Sequence, residues 1–63
     1  MIPNDPKERF TMIKYMIDKL TIEYDELTSW EQNFLESVTE QFEMKATLSD
    51  RQCEILERIY DKF

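Results

Sequence analysis

Residues 27–35 read LTSWEQNFL, and residues 48–52 read LSDRQ. Both stretches place a hydroxyl residue after an apolar one, and a Glu or Gln three positions after the hydroxyl. This pattern is the capping box, in which the hydroxyl and the later side chain each accept a hydrogen bond from the other residue's backbone amide. Each stretch therefore predicts the start of a helix. The two pairs are Thr28 with Glu31 and Ser49 with Gln52.

A further helix start lies near the N-terminus, where Asp5 precedes Pro6 and Glu8 stands three positions after Asp5. Proline is well tolerated as the first residue of a helix, because the amide that it lacks would have no partner there. Apolar residues then recur at spacings of three and four, which is the period of an amphipathic helix. These residues are Phe10, Ile13, Ile17, Leu20 and Tyr24.

The sequence predicts an all-α fold, a compact three-helix bundle that forms a single helical domain over residues 1–63. The absence of glycine disfavours β architectures, whose tight turns need residues that tolerate positive φ. A short link makes helices two and three an antiparallel hairpin. On helix two, we expect Trp30, Phe34 and Val38 to face the core. The predicted helices span residues 6–24, 29–45 and 50–62, with loops near 25–28 and 46–49.

The chain has no histidine and one cysteine, Cys53. Nucleophilic catalysis needs a base poised near neutral pH, and zinc sites draw most of their ligands from His and Cys. The sequence also lacks the glycine-bent loop of calcium sites and the Glu-x-x-His pairs of dimetal bundles. We therefore expect a protein that is not an enzyme, with no catalytic residue, no metal and no cofactor.

Cys53 has two interpretations. It belongs to an apolar stripe with Leu56, Tyr60 and Phe63, which favours a small core residue. Its place in the first turn of a helix would instead lower its pKa and suit a reactive thiol.

The sequence also predicts a location. A free thiol fits a reducing compartment, and no apolar run reaches the roughly 20 residues that span a bilayer. The N-terminal residues lack the basic start and hydrophobic segment of a signal peptide. We expect a cytoplasmic protein without membrane contact.

The net charge is −6, and the acidic excess lies in the middle of the chain. Glu36, Glu40 and Glu43 occupy positions i, i+4 and i+7, so they share one face of helix two. This face has three interpretations: a solvated surface, a docking face for a basic groove built for nucleic acid, or a contact for another basic protein. Direct binding of DNA or RNA is disfavoured, because like charges repel.

A second candidate surface lies on helix one. Met12, Tyr15 and Met16 fall outside the main apolar stripe of that helix, so they could form an exposed patch for a partner or for a second copy of the chain. The other interpretation places the aromatic residues in the core, where large rings supply burial.

The sequence at residues 27–38 and 48–62 also resembles a known module. The residues that carry the resemblance are Leu27-Thr28-Ser29-Trp30-Glu31, Phe34-Leu35 and Ser37-Val38, followed by Leu48-Ser49-Asp50-Arg51-Gln52, Ile55-Leu56, Ile59-Tyr60 and Lys62. They are similar to a short helical module of phage and bacterial proteins of DNA metabolism, alone or appended to larger enzymes. The resemblance implies a non-catalytic accessory role in replication, recombination or nucleic-acid defence.

These observations lead to one leading hypothesis and one alternative. The first is a small acidic regulatory protein, phage-encoded, that binds a basic surface on a component of the nucleic-acid machinery, as an inhibitor or a phosphate mimic. Its candidate partner-binding residues are Glu36, Glu40, Glu43, Met12, Tyr15 and Met16. The alternative is a structural module that forms homo-oligomers through helix one.

Overall fold

The computed structural model describes residues 4–63, and residues 1–3 of the predicted domain lie outside the described residues. The described part contains three α-helices that all contact one another, and it contains no strand. The predicted all-α three-helix bundle is therefore confirmed. The helices are α1 (Pro6–Ile22), α2 (Ser29–Lys45) and α3 (Asp50–Tyr60), and a short 3-10 turn (Tyr24–Glu26) follows α1.

Both predicted capping boxes are present. The Thr28 hydroxyl accepts a hydrogen bond from the Glu31 amide at 3.1 Å, and the Glu31 carboxylate accepts one from the Thr28 amide at 2.9 Å. Ser49 and Gln52 exchange the same two bonds, at 3.1 and 2.9 Å. At α1, the Asp5 carboxylate accepts from two amides of the first turn. All three helix starts are confirmed.

Two helix ends come earlier than predicted. The chain leaves the helical conformation at Glu23, where φ is −93° and ψ is 19°, so α1 stops at residue 22. The Gln32 side-chain amide then donates to the Tyr24 carbonyl at 2.9 Å and holds the following turn against α2. Near the C-terminus, the amides of Lys62 and Phe63 donate to carbonyls three residues back, which is 3-10 rather than α geometry.

The helices run up, down and up. Glu31, near the start of α2, pairs with Lys62, beyond the end of α3. Gln41, late in α2, exchanges two amide hydrogen bonds with Gln52, early in α3, at 3.1 and 3.2 Å. The predicted antiparallel hairpin of helices two and three is therefore present. The core between the helices consists of Ile13, Met16, Ile17, Leu20, Leu27, Leu35, Val38, Leu48, Cys53, Leu56 and Ile59.

The predicted inward face of α2 is wrong at one position. Trp30 is 60% exposed and stacks on Phe34, with ring centroids 5.5 Å apart and ring planes at 8°. The buried stripe of α2 consists of Glu31, Leu35 and Val38. Successive residues of a helix are rotated by about 100°, so a stripe that starts at residue 31 turns residue 30 toward solvent.

The end of α2 has an unusual backbone. Ala46 caps the helix with φ 58° and ψ 20°, and it is the one residue of the described range with positive φ. Helices often end in this left-handed conformation, but glycine usually adopts it, because a Cβ atom crowds the backbone there. The chain has no glycine to place at this position.

Replacement of Ala46 by glycine should therefore stabilise the protein. The strain that is relieved exceeds the added entropy of the unfolded chain, so we expect the free energy of unfolding to rise by about 0.5–1 kcal/mol. Urea denaturation followed by circular dichroism measures the change. The control is Thr47→Gly at the next position, where φ is not positive and stability should fall. A loss of stability in Ala46→Gly as well would contradict the prediction.

Candidate functional site

The acidic face of α2 consists of Glu36, Glu40 and Glu43. All three side chains are exposed, and they lie along one side of the helix. They border a shallow groove of about 310 Å³, which α2 forms with Thr21 of α1 and Tyr24 of the 3-10 turn. The carboxylates that the sequence predicted to share a face therefore do so, and the groove beside them reaches α1 at Thr21.

The three carboxylates differ in their partners. Glu36 accepts a hydrogen bond from the Tyr24 hydroxyl, and this bond raises the pKa of Tyr24 because it stabilises the protonated phenol. Glu40 and Glu43 form neither a hydrogen bond nor an ion pair with any residue between 4 and 63. Two of the three charges are thus unpaired within residues 4–63.

Glu31 is acidic but does not belong to this face. It is 7% exposed, and its carboxylate accepts hydrogen bonds from the Thr28 amide and the Lys62 ammonium group. The bond from Lys62 is the main reason that the pKa of Glu31 lies below its ordinary value, and the bond from Thr28 adds to it. Glu31 therefore has a structural role. The capping box identified its first partner, but no pattern in the sequence indicated Lys62.

The helix-one patch is smaller than predicted. Met12 and Tyr15 are exposed, and the Tyr15 ring lies edge-on to Tyr60 at a centroid distance of 6.1 Å. Met16 is 1% exposed, so its prediction as a surface residue is wrong. It lies three residues after Ile13, on the same buried side of α1, where a flexible thioether side chain fills the space between helices.

Cys53 is a buried core residue. Burial raises the pKa of its thiol, although the Arg9 guanidinium, 3.3 Å from the sulfur, acts in the opposite direction. The same guanidinium donates to the Leu48 carbonyl and to the Asp50 carboxylate, and it thereby ties α1 to the start of α3. The interpretation as a core residue is supported, and the thiolate that a reactive cysteine requires is disfavoured.

A groove between α1 and α2 was not predicted. It has a volume of about 460 Å³, and Phe10 from α1 meets Phe42 from α2 inside it, with ring centroids 4.8 Å apart. Both residues were recognisable as apolar positions of their helices. The two residues are 32 positions apart in the sequence, and helical periodicity does not predict a contact over that separation.

Within the described range, no group of three His, Cys, Asp or Glu residues is arranged to hold a metal ion. No helix between residues 4 and 63 combines the length and the apolar composition needed to cross a bilayer.

Fold and surface together define the class of this chain: a small helical bundle with an acidic face. Comparison with models of protein families, with curated proteins and with solved structures found no match.

Proposed function

We propose that this chain is a small regulatory protein without enzyme activity that binds a basic surface of a partner protein through its acidic face. The observation that carries the proposal is the pair of exposed carboxylates, Glu40 and Glu43, which form no ion pair with any residue between 4 and 63. Uncompensated charges of one sign attract a surface of the opposite sign and accelerate its association.

The distribution of the basic residues supports this proposal. Five of the eight Lys and Arg residues form ion pairs with carboxylates outside the acidic face, so they do not neutralise it. These pairs are Arg9–Asp50, Lys14–Asp18, Lys19–Glu23, Arg58–Glu54 and Lys62–Glu31.

The partner that we propose is a component of the nucleic-acid machinery. Carboxylates repeated about once per helical turn, roughly 5.4 Å along the axis, coarsely imitate a row of phosphates. The resemblance of residues 27–62 to a module of phage and bacterial DNA metabolism points to the same class of partner and to a phage origin. On this proposal, the protein inhibits by occupying a groove that otherwise holds nucleic acid.

The test compares the wild type with a variant in which Glu36, Glu40 and Glu43 are all replaced by Gln. Each protein is immobilised and exposed to an extract of the native host, and retained proteins are identified by mass spectrometry. We expect the wild type to retain a basic nucleic-acid-binding protein that excess double-stranded DNA releases. Three exposed ion pairs together contribute on the order of a tenfold change in affinity, so the variant should lose this protein and show a flatter salt dependence.

The control variant carries Glu8→Gln, Glu54→Gln and Asp61→Asn, which change the net charge equally but lie outside the acidic face. It should retain the partner as the wild type does. Equal retention by the Glu36, Glu40 and Glu43 variant at low salt would contradict the proposal.

A second candidate function is self-assembly through α1. Tyr15 is 58% exposed and, with Met12, leaves an apolar surface beside Tyr60. Sedimentation over a wide concentration range separates the two candidates, since a monomer at every concentration rules out assembly.

A further inference from the structure

The groove between α1 and α2 has both apolar and acidic residues in its lining. Phe10, Phe42 and Ile17 form the apolar part, and Phe10 is 42% exposed. Asp18 and Glu43 also line the groove. Such a combination is typical of a site for a ligand that is apolar on one side and positively charged beside it.

This groove continues into the shallow groove at the acidic face. Thr39 and Glu43 line both depressions, so one surface runs along α2 from residue 36 to residue 46. Ten residues of helix extend about 15 Å, which is nearly three turns. The length matches a short helical segment of a partner.

The charges of this continuous surface favour one kind of occupant. Its acidic lining residues come from both helices, while Lys14 is the one basic lining residue within the described range and pairs with Asp18 at 3.6 Å. Nucleic acids and anionic membranes are repelled by such a surface. A second copy of this chain, with a net charge of −6, is also a poor occupant.

We propose that this surface binds an amphipathic basic helix of the partner protein. The helix lays apolar side chains on Phe10 and Phe42 and directs Lys or Arg side chains from flanking turns toward Glu36, Glu40 and Glu43. This is helix-in-groove recognition, in which side chains one turn apart supply the anchors. The inference rests on the proposed function. It adds that the bound segment of the partner is a helix and that this helix has an apolar side.

Two synthetic peptides of roughly 15 residues, a length at which isolated helices become stable, test the inference. One consists of Lys and Leu in amphipathic helical order, and the other replaces every Leu by Ser and keeps the charge. Each is titrated at low salt into the isotope-labelled full chain, and amide chemical shifts are recorded. We expect the Lys/Leu peptide to bind about tenfold tighter or more, because only this peptide buries apolar side chains. When this peptide is added, the amide resonances of Phe10 and Phe42 should be among those that shift.

Two tryptophan variants distinguish binding in the groove from binding at the acidic face alone. Thr39→Trp fills the groove between the two helices without a change of charge, and Ser37→Trp places the same ring on the exposed side of α2. Affinity for the Lys/Leu peptide should fall about tenfold in Thr39→Trp and stay unchanged in Ser37→Trp. Circular dichroism checks the fold of both variants, and the peptide comparison on the wild type does not depend on them.

The outcomes distinguish the two proposals. Equal affinity for both peptides would contradict binding in the groove, and so would binding of the Lys/Leu peptide that leaves the amide resonances of Phe10 and Phe42 unchanged. Either result would still be compatible with binding at the acidic face. Failure of both peptides to bind at low salt overturns the groove and the proposed function together.

Discussion

Leu20→Ala is expected to lower the free energy of unfolding by about 2–5 kcal/mol, the range observed when a buried Leu is truncated. The Leu20 side chain is 0% exposed and lies in the core where the three helices meet. A chain of this length has a total stability of about 3–9 kcal/mol. The variant should therefore lose a large share of its stability, and its urea midpoint by circular dichroism should lie clearly below that of the wild type.

The matched control is Ile22→Ala, two residues further along the same helix. Ile22 is 78% exposed, so its truncation removes little buried surface and replaces a β-branched residue with a better helix former. Its stability should stay within about 0.5 kcal/mol of the wild type. Similar losses in both variants would show that the core is not where the structure places it.

The second large effect concerns Glu31. Glu31→Gln keeps an acceptor for the Thr28 amide but removes the charge that holds Lys62. A hydrogen bond between charged groups contributes about 1.5–3 kcal/mol, and the half-exposed Lys62 reduces this contribution. We expect a loss of about 1–2 kcal/mol at pH 7, measured by urea denaturation.

The loss of stability in Glu31→Gln should become smaller as the pH falls. The pKa of Glu31 is lower in the folded protein than its ordinary value, so the folded state favours the ionised carboxylate. Its stabilising effect is complete above the unfolded-state pKa, about 4.3, and disappears as the pH falls through the lower folded-state value. The difference between wild type and Glu31→Gln should therefore shrink from pH 7 to pH 3.

Glu40→Gln provides the control for this pH dependence, because Glu40 is exposed and has no ion pair within residues 4–63. Its urea midpoint should follow that of the wild type at both pH values. A difference between wild type and Glu31→Gln that stays constant with pH would show that the Lys62 contact does not act through the charge of Glu31.

Helix starts were predictable from the sequence because a cap acts over a few residues. The Thr28–Glu31 and Ser49–Gln52 boxes join atoms within one turn, so residue type and spacing suffice to locate them. The shared face of the three acidic residues on α2 was predictable for the same reason, since helical geometry alone relates positions three and four apart.

The apolar residues predicted less well which side of each helix is buried. On α2, apolar residues cover more than one side of the helix, and the buried stripe includes Glu31 where Trp30 was expected. On α1, Met16 lies inside although its position was compatible with either side. A wide apolar arc leaves the rotation of a helix undetermined until its neighbours are in place.

The sequence alone specifies three amphipathic helices, their starting residues and an acidic side on α2, because these follow from contacts within a few residues. Tertiary packing decides the rest: the burial of Glu31 against Lys62 across 31 residues, the exposure of Trp30, and the groove where Phe10 meets Phe42. These features depend on how the helices cross and rotate against one another. Side chains from all three helices jointly determine that arrangement, and no local pattern encodes it.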